Sequence, residues 1–117
     1  MATRTFVTPK AGSGFLNLRS ENRLDAANIV GALNEGVRLE FVGEVSGWYA
    51  CRVFVSTLVA NANDGRFVRL NPGGDFANIR LAPRADNATD VGDLRANQQL
   101  AFIERVGDWL TAKVYVS

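Results

Sequence analysis

The stretch Trp48-Tyr49-Ala50-Cys51-Arg52-Val53-Phe54-Val55 decides how this chain must be read, because it recurs as Trp109-Leu110-Thr111-Ala112-Lys113-Val114-Tyr115-Val116. One alternating set is Tyr49, Cys51, Val53 and Val55, with Leu110, Ala112, Val114 and Val116 in the recurrence. All eight are apolar or weakly polar. The other set, Trp48, Ala50, Arg52 and Phe54 against Trp109, Thr111, Lys113 and Tyr115, is mixed. Alternation of period two, with one oily and one mixed face, is the pattern of a half-buried strand. It places Tyr49 inward and both tryptophans on the mixed face.

The recurrence extends outward from this strand. At an offset of 61 residues, 19 of the 52 aligned pairs from Thr5/Arg66 to Ser56/Ser117 are identical, without a gap. Phe15, Asn17 and Arg19 fall on Phe76, Asn78 and Arg80; Val30, Gly31 and Leu33 fall on Val91, Gly92 and Leu94. Such a repeat means two copies of one small unit. It predicts a first unit over residues 1–60 and a second over 61–117. Units of that size sit near the lower limit of what one core stabilises, so docking of the two is expected. The connection between them contains Leu58-Val59-Ala60 and is no Gly/Ser tether, which predicts burial of these residues between the units.

Within a unit, further strands are expected at Phe15–Arg19, Ile29–Leu33 and Val37–Val42, with another beginning at Thr5-Phe6-Val7. Asn34-Glu35-Gly36 reads as a tight turn with glycine supplying positive φ. Gly43–Gly47 reads as the turn of a hairpin that ends at Trp48. The polar stretches 20–28 and 81–89 lack periodicity and read as long loops. No segment reads as a helix. The unit is a small all-β barrel or sandwich.

Composition excludes several classes of function. The 117 residues carry 13 basic and 12 acidic side chains in no run of one sign, so nucleic-acid binding has no electrostatic footprint. There is no histidine, and Cys51 is the only cysteine, which excludes an internal disulfide and a Cys/His zinc site. A serine or cysteine nucleophile lacks its usual base, and Cys51 falls in the inward set as a small core residue. The one acidic position kept in both copies is Asp25/Asp86, read as ordering its loop by hydrogen bonds. Asn61-Ala62-Asn63-Asp64-Gly65 lacks the alternating acidic ligands of a calcium loop, and Asp64-Gly65 reads as a β-turn. The expectation is a non-enzyme without cofactor or metal. No apolar run reaches membrane-spanning length, and no signal peptide is visible at the start.

Leu16-Asn17-Leu18-Arg19-Ser20, Val30-Gly31-Ala32-Leu33-Asn34-Glu35-Gly36 and Gly47-Trp48-Tyr49 together resemble the bacterial Src-homology-3-like domain. So do Ala77-Asn78-Ile79-Arg80-Leu81-Ala82-Pro83, Val91-Gly92-Asp93-Leu94 and Asp108-Trp109-Leu110. The chain departs from that family at Ser20-Glu21-Asn22, where Ser-Gly-Pro is usual. The family's closing segment is also reduced, and the second copy ends without a counterpart of Thr57–Ala60. The resemblance implies two small barrels in tandem that bind and do not catalyse. The implied ligand is peptidoglycan peptide or another extended polymer, at the cell envelope, outside the cell, or on a phage.

Trp48 and Trp109 are then read in two ways, as caps of a barrel end or as walls of a peptide groove. In the second reading Tyr49 with Glu21, Asn22 and Arg23, and in the second copy Pro83, Arg84 and Asp86, complete the groove. Asn17/Asn78 and Arg19/Arg80 read as structural in preference to ligand contacts. The rival expectation is a self-assembling subunit of a filament or virion, packed head to tail. There the clipped edge of the second unit would pair with a neighbour's Thr3–Val7 strand, giving a homo-oligomer through exposed strand edges.

Overall fold

The computed structural model describes residues 5–117. Their regular structure is eleven strands: β1 (Phe6–Val7), β2 (Phe15–Arg19), β3 (Ile29–Asn34), β4 (Leu39–Val45), β5 (Trp48–Ser56), β6 (Ala60–Asn61), β7 (Phe67–Leu70), β8 (Phe76–Arg80), β9 (Asp90–Arg95), β10 (Leu100–Val106) and β11 (Trp109–Val116). Single 3₁₀ turns at Ala26–Asn28 and Asn87–Thr89 lead into β3 and β9. No α-helix occurs among the described residues. The expected strand Thr3–Val7 is seen as Phe6–Val7; Thr3 lies outside the described residues.

The strands form one ladder in the order β1-β4-β5-β8-β9-β3-β2-β11-β10-β7-β6. A second pairing, β5 with β11 over Trp109↔Ser56 to Val116↔Tyr49, closes β5, β8, β9, β3, β2 and β11 into a six-strand barrel. Where the repeat predicted two barrels, one per half, the pairings close a single ring with three strands from each half. Among the described residues no pairing within one half joins β2–β3 to β4–β5, or β8–β9 to β10–β11. The physical reason is size: a hairpin pair of about 55 residues buries too little surface alone, and the four hairpins share one core. Leu18, Leu33, Val53 and Val55 belong to the same buried cluster as Ile79, Leu94, Val114 and Val116.

The register of the ladder carries the 61-residue offset of the sequence. Phe54 faces Arg80 as Tyr115 faces Arg19. Two pairs map onto themselves under that offset, Gly31↔Gly92 and Arg52↔Lys113. They mark where a local twofold axis passes through the barrel.

Turn chemistry fixes the hairpins. β4 runs on to Val45, so the turn is not Gly43–Gly47 but the two residues Ser46-Gly47, both at positive φ (51° and 85°), the type I′ pattern that suits strand twist. Its counterpart is Gly107-Asp108, with only Gly107 at positive φ (61°), a type II′ pattern. Gly36, at φ 85°, serves the turn into β4 as expected.

Bulges explain where the alternation of the strands fails. One follows Phe41, so that Gly43 faces Ala50; another follows Phe102, so that Glu104 faces Thr111. Each leaves one extra residue, Val42 in β4 and Ile103 in β10, and bends that strand. Opposite the bulges Ala50 and Thr111 are buried, next in sequence to the equally buried Cys51 and Ala112. The Thr111 hydroxyl is satisfied there, donating to the Glu104 carbonyl (2.9 Å) and accepting from its N–H (3.1 Å).

Three expectations of burial are corrected. Tyr49 is 44% exposed, while Leu110 at its place in the second half is buried beside Ala60. Leu58 is 87% and Val59 38% exposed; only Ala60 of that run is buried. With the halves sharing a barrel, the connection runs along its outside and is not sandwiched between two bodies.

Candidate functional site

Trp109 opens β11 directly after the Gly107-Asp108 turn and lies half-buried. It lines a cleft of about 320 Å³ together with Phe76, Leu58, Val59, Asn78, Arg80 and Ala85. The apolar members Leu58, Val59 and Phe76 are all exposed. The Arg95 guanidinium stands 5.6 Å from the centroid of the Phe76 ring and pairs with Asp93 at 3.4 Å. The cleft thus combines apolar side chains and one tryptophan with an arginine and an amide.

The loop beside it is built as one unit. Arg80 Nη1 donates to the Asp86 carbonyl (2.7 Å) and to the Thr89 hydroxyl (3.2 Å). The fully buried Thr89 hydroxyl lies 2.6 Å from the Arg84 carbonyl. In the first half Arg19 does the same work, donating to the Asp25 carbonyl (2.9 Å) and Asn28 Oδ1 (3.1 Å). Asn28 Nδ2 in turn donates to the Arg23 carbonyl (2.9 Å). Both arginines therefore hold loops through main-chain carbonyls and not through a carboxylate.

Asp25 orders its loop as expected: its carboxylate accepts from the Ala27 N–H at 2.9 Å and pairs with Arg23 at 2.5 Å. Those contacts, the Ala27 N–H first and Arg23 second, hold its carboxyl below the usual carboxylate value. Asp86 differs; its side chain caps nothing and stands 3.8 Å from Arg84.

Of the nine residues singled out in the sequence, expected as one groove in each copy, no cleft described here brings together the aromatic and the loop residues of either copy. Glu21 and Arg23 form an ion pair (2.7 Å) and line a polar cleft against Asn97–Gln99 of the other half. Gln98 Nε2 lies within 3.4 Å of the Ala27 and Ile29 carbonyls there. Asn22 is half-buried in the same loop. Pro83, Arg84 and Asp86 are exposed on the second loop, which gives the Trp109 cleft only Ala85. Trp48 is half-buried and lines neither the Trp109 cleft nor the polar cleft at Glu21 and Arg23. Tyr49 stands apart, its ring edge-on to Phe41 at 5.8 Å. Phe76, Leu58 and Val59 are the site residues that strand reading passed over. Phe76 sits in the outward set of its strand, which was the available signal.

No protein-family model, curated protein or solved structure matches the chain.

Proposed function

We propose that this protein is a non-catalytic binding module built from two units related to the bacterial Src-homology-3-like domain, which grips an extended polymer at the Trp109 cleft. Peptidoglycan peptide is the ligand class the family resemblance favours, which assigns the protein to the cell envelope, the extracellular space or a virion. The observation that carries the reading is the grouping of Trp109 with the exposed side chains of Leu58, Val59 and Phe76 beside Arg80. An aromatic platform of this kind offers large rigid area at small entropic cost, and the neighbouring arginine suits a carboxylate-bearing peptide. The same cleft carries no pair of nucleophile and base.

Co-sedimentation with purified cell-wall sacculi tests it. The intact protein is expected in the pellet at low salt, and Trp109→Ala and Phe76→Ala are expected in the supernatant. Intact protein that stays in the supernatant at low salt would remove the reading.

A further inference from the structure

Segment 56–63 borders two clefts. Ser56, Leu58 and Val59 line the one with Trp109, while Thr57, Asn61 and Asn63 line another of about 440 Å³. Its remaining wall is Asn71, just past β7, with Phe102 and Arg105 of β10, and the buried Ala60 and Leu110 lie beneath. The volume falls in the range of small-molecule sites, about 300–1,000 Å³.

Three of these side chains are amides, and their bonds fix them in place. Asn61 Nδ2 donates to Asn71 Oδ1 at 2.9 Å, and Asn61 Oδ1 accepts from the Asn63 N–H at 3.2 Å. The Asn71 main chain is held as well. Its N–H donates to the Val59 carbonyl (2.9 Å), and its carbonyl accepts from the Gly74 N–H (3.1 Å). Asn71 thus commits its Oδ1 and both backbone groups to the fold. Its half-buried Nδ2, with two N–H donors, has no partner among the described residues.

Arg105 is anchored in the same manner. Its Nε donates to the Gly107 carbonyl at 2.8 Å. Among the described residues its Nη groups pair with no carboxylate, and no Asp or Glu lines the cleft. The cleft therefore holds an uncompensated positive charge and a surplus of fixed donors. A carboxylate matches a guanidinium by two parallel hydrogen bonds.

The first half shows that the barrel does not require this set. At the 61-residue offset Asn71 falls on Lys10, Arg105 on Glu44 and Leu110 on Tyr49; only Phe102 falls on its like, Phe41. The hairpin pairing is the same with either set, Glu44↔Tyr49 in one half and Arg105↔Leu110 in the other.

We propose that this cleft binds an acidic saccharide, a pyranose ring bearing a carboxylate. The carboxylate sits on Arg105, and ring hydroxyls meet Asn71 Nδ2, the Asn63 amide and the Thr57 hydroxyl. Amide and hydroxyl side chains both donate and accept, as sugar hydroxyls do. Half-buried Phe102 offers apolar surface to the C–H face of the ring. The cleft shares no lining residue with the Trp109 cleft, so the two sites succeed or fail separately.

The test follows backbone amide NMR shifts of the full chain titrated with glucuronate and with galacturonate. Glucose and galactose supply the rings without the charge, and acetate the charge without a ring. A uronate is expected to shift Asn61, Asn63, Asn71 and Arg105 at millimolar concentration. It should bind about tenfold or more tighter than its neutral parent, because hydrogen bonds between charged groups are the stronger ones. Arg105→Gln, a change at an exposed position, is expected to make acid and neutral sugar bind alike. Asn71→Asp keeps the acceptor that Asn61 uses and removes the unused donor; it should abolish the uronate shifts and leave the thermal midpoint in place. Phe76→Ala, in the other cleft, should leave uronate binding unchanged. Absence of these shifts with both uronates at high millimolar concentration would overturn the proposal. So would acetate binding as well as the uronates, which would make the cleft a general anion site, or the neutral sugars doing so, which would leave Arg105 without a role.

Discussion

Gly31 and Gly92 meet backbone to backbone across the β3–β9 contact, each in the space a side chain of the other would need. A Cβ on Gly31 would lie 2.1 Å from the Val91 carbonyl oxygen, and one on Gly92 would lie 2.1 Å from the Val30 carbonyl oxygen. This pair and Arg52↔Lys113 are the two self-matched contacts of the barrel. The first therefore needs the absence of a side chain, twice. Gly31→Ala and Gly92→Ala are each expected to destabilise the fold by about 1–3 kcal/mol, since backbone must move to admit the methyl group. Urea unfolding measures this. A double variant no worse than either single one is also expected, because one displacement of β3 from β9 relieves both clashes. Wild-type stability in either single variant would show that the contact is looser than described.

Thr89 gives a second prediction. Its buried hydroxyl serves the Arg84 carbonyl and accepts from Arg80, and Asn28 holds the same place in the first half by serving the Arg23 carbonyl and accepting from Arg19. Thr89→Val keeps the shape and strands these partners, at a cost of about 1–3 kcal/mol. Thr89→Asn restores both functions with the residue the first half uses. Thermal unfolding should rank wild type and Thr89→Asn well above Thr89→Val; equal loss in both substitutions would mean that shape, not hydrogen bonding, sets the site.

Much of the barrel is legible in the residues because strand periodicity is local. Phe15–Arg19 is a strand over just those residues, and of the inward set Cys51, Val53 and Val55 are buried while Tyr49 is not. The glycine of Asn34-Glu35-Gly36 announces its positive φ. What periodicity does not carry is partner choice. Nothing in Ile29–Asn34 distinguishes pairing with its own half from pairing with β9; that choice depends on Gly31 and Gly92 approaching without side chains, a relation between positions 61 apart. For the same reason Leu58 was expected inside. Its apolarity is local, but whether the connection lies between two bodies or along one depends on closure of the ring. The loop residues Glu21 and Arg23 read as a wall facing Trp48 and Tyr49, yet what faces them, Asn97–Gln99, comes from the other half.

Asp64 makes the turn that enters β7 sensitive to acid. Its carboxylate accepts from the N–H groups of Phe67 (3.0 Å) and Arg66 (2.8 Å) and pairs with Arg69 (2.5 Å). These contacts hold its carboxyl far below the ordinary value, the Phe67 N–H first. A carboxyl depressed in the folded state stabilises that state fully above its unfolded value of about 3.9, and the contribution fades as pH falls through the folded value. Asp64→Asn should therefore melt below wild type at pH 7, and the gap should narrow as the pH is lowered past 4. A gap that stays constant from pH 7 to pH 2 would assign the effect to shape alone.

Cys51 reports on opening of the barrel. It is fully buried in β5, which pairs with β4 on one side and β11 on the other, and burial pushes its thiol up to about 12. Both exposure and thiolate are needed for alkylation, so the folded protein should resist iodoacetamide at pH 8 and react fully in denaturant. Because Phe41 faces Cys51 from β4 and Val114 faces it from β11, no fraying of a strand end uncovers the sulfur. The labelling rate should then follow global unfolding, rising with urea along the same slope as the equilibrium transition. Gly31→Ala should raise it by the factor its loss of stability predicts. Rapid labelling without denaturant would mean that β5 separates from β11 while the rest stays folded, and that the ring is closed only part of the time.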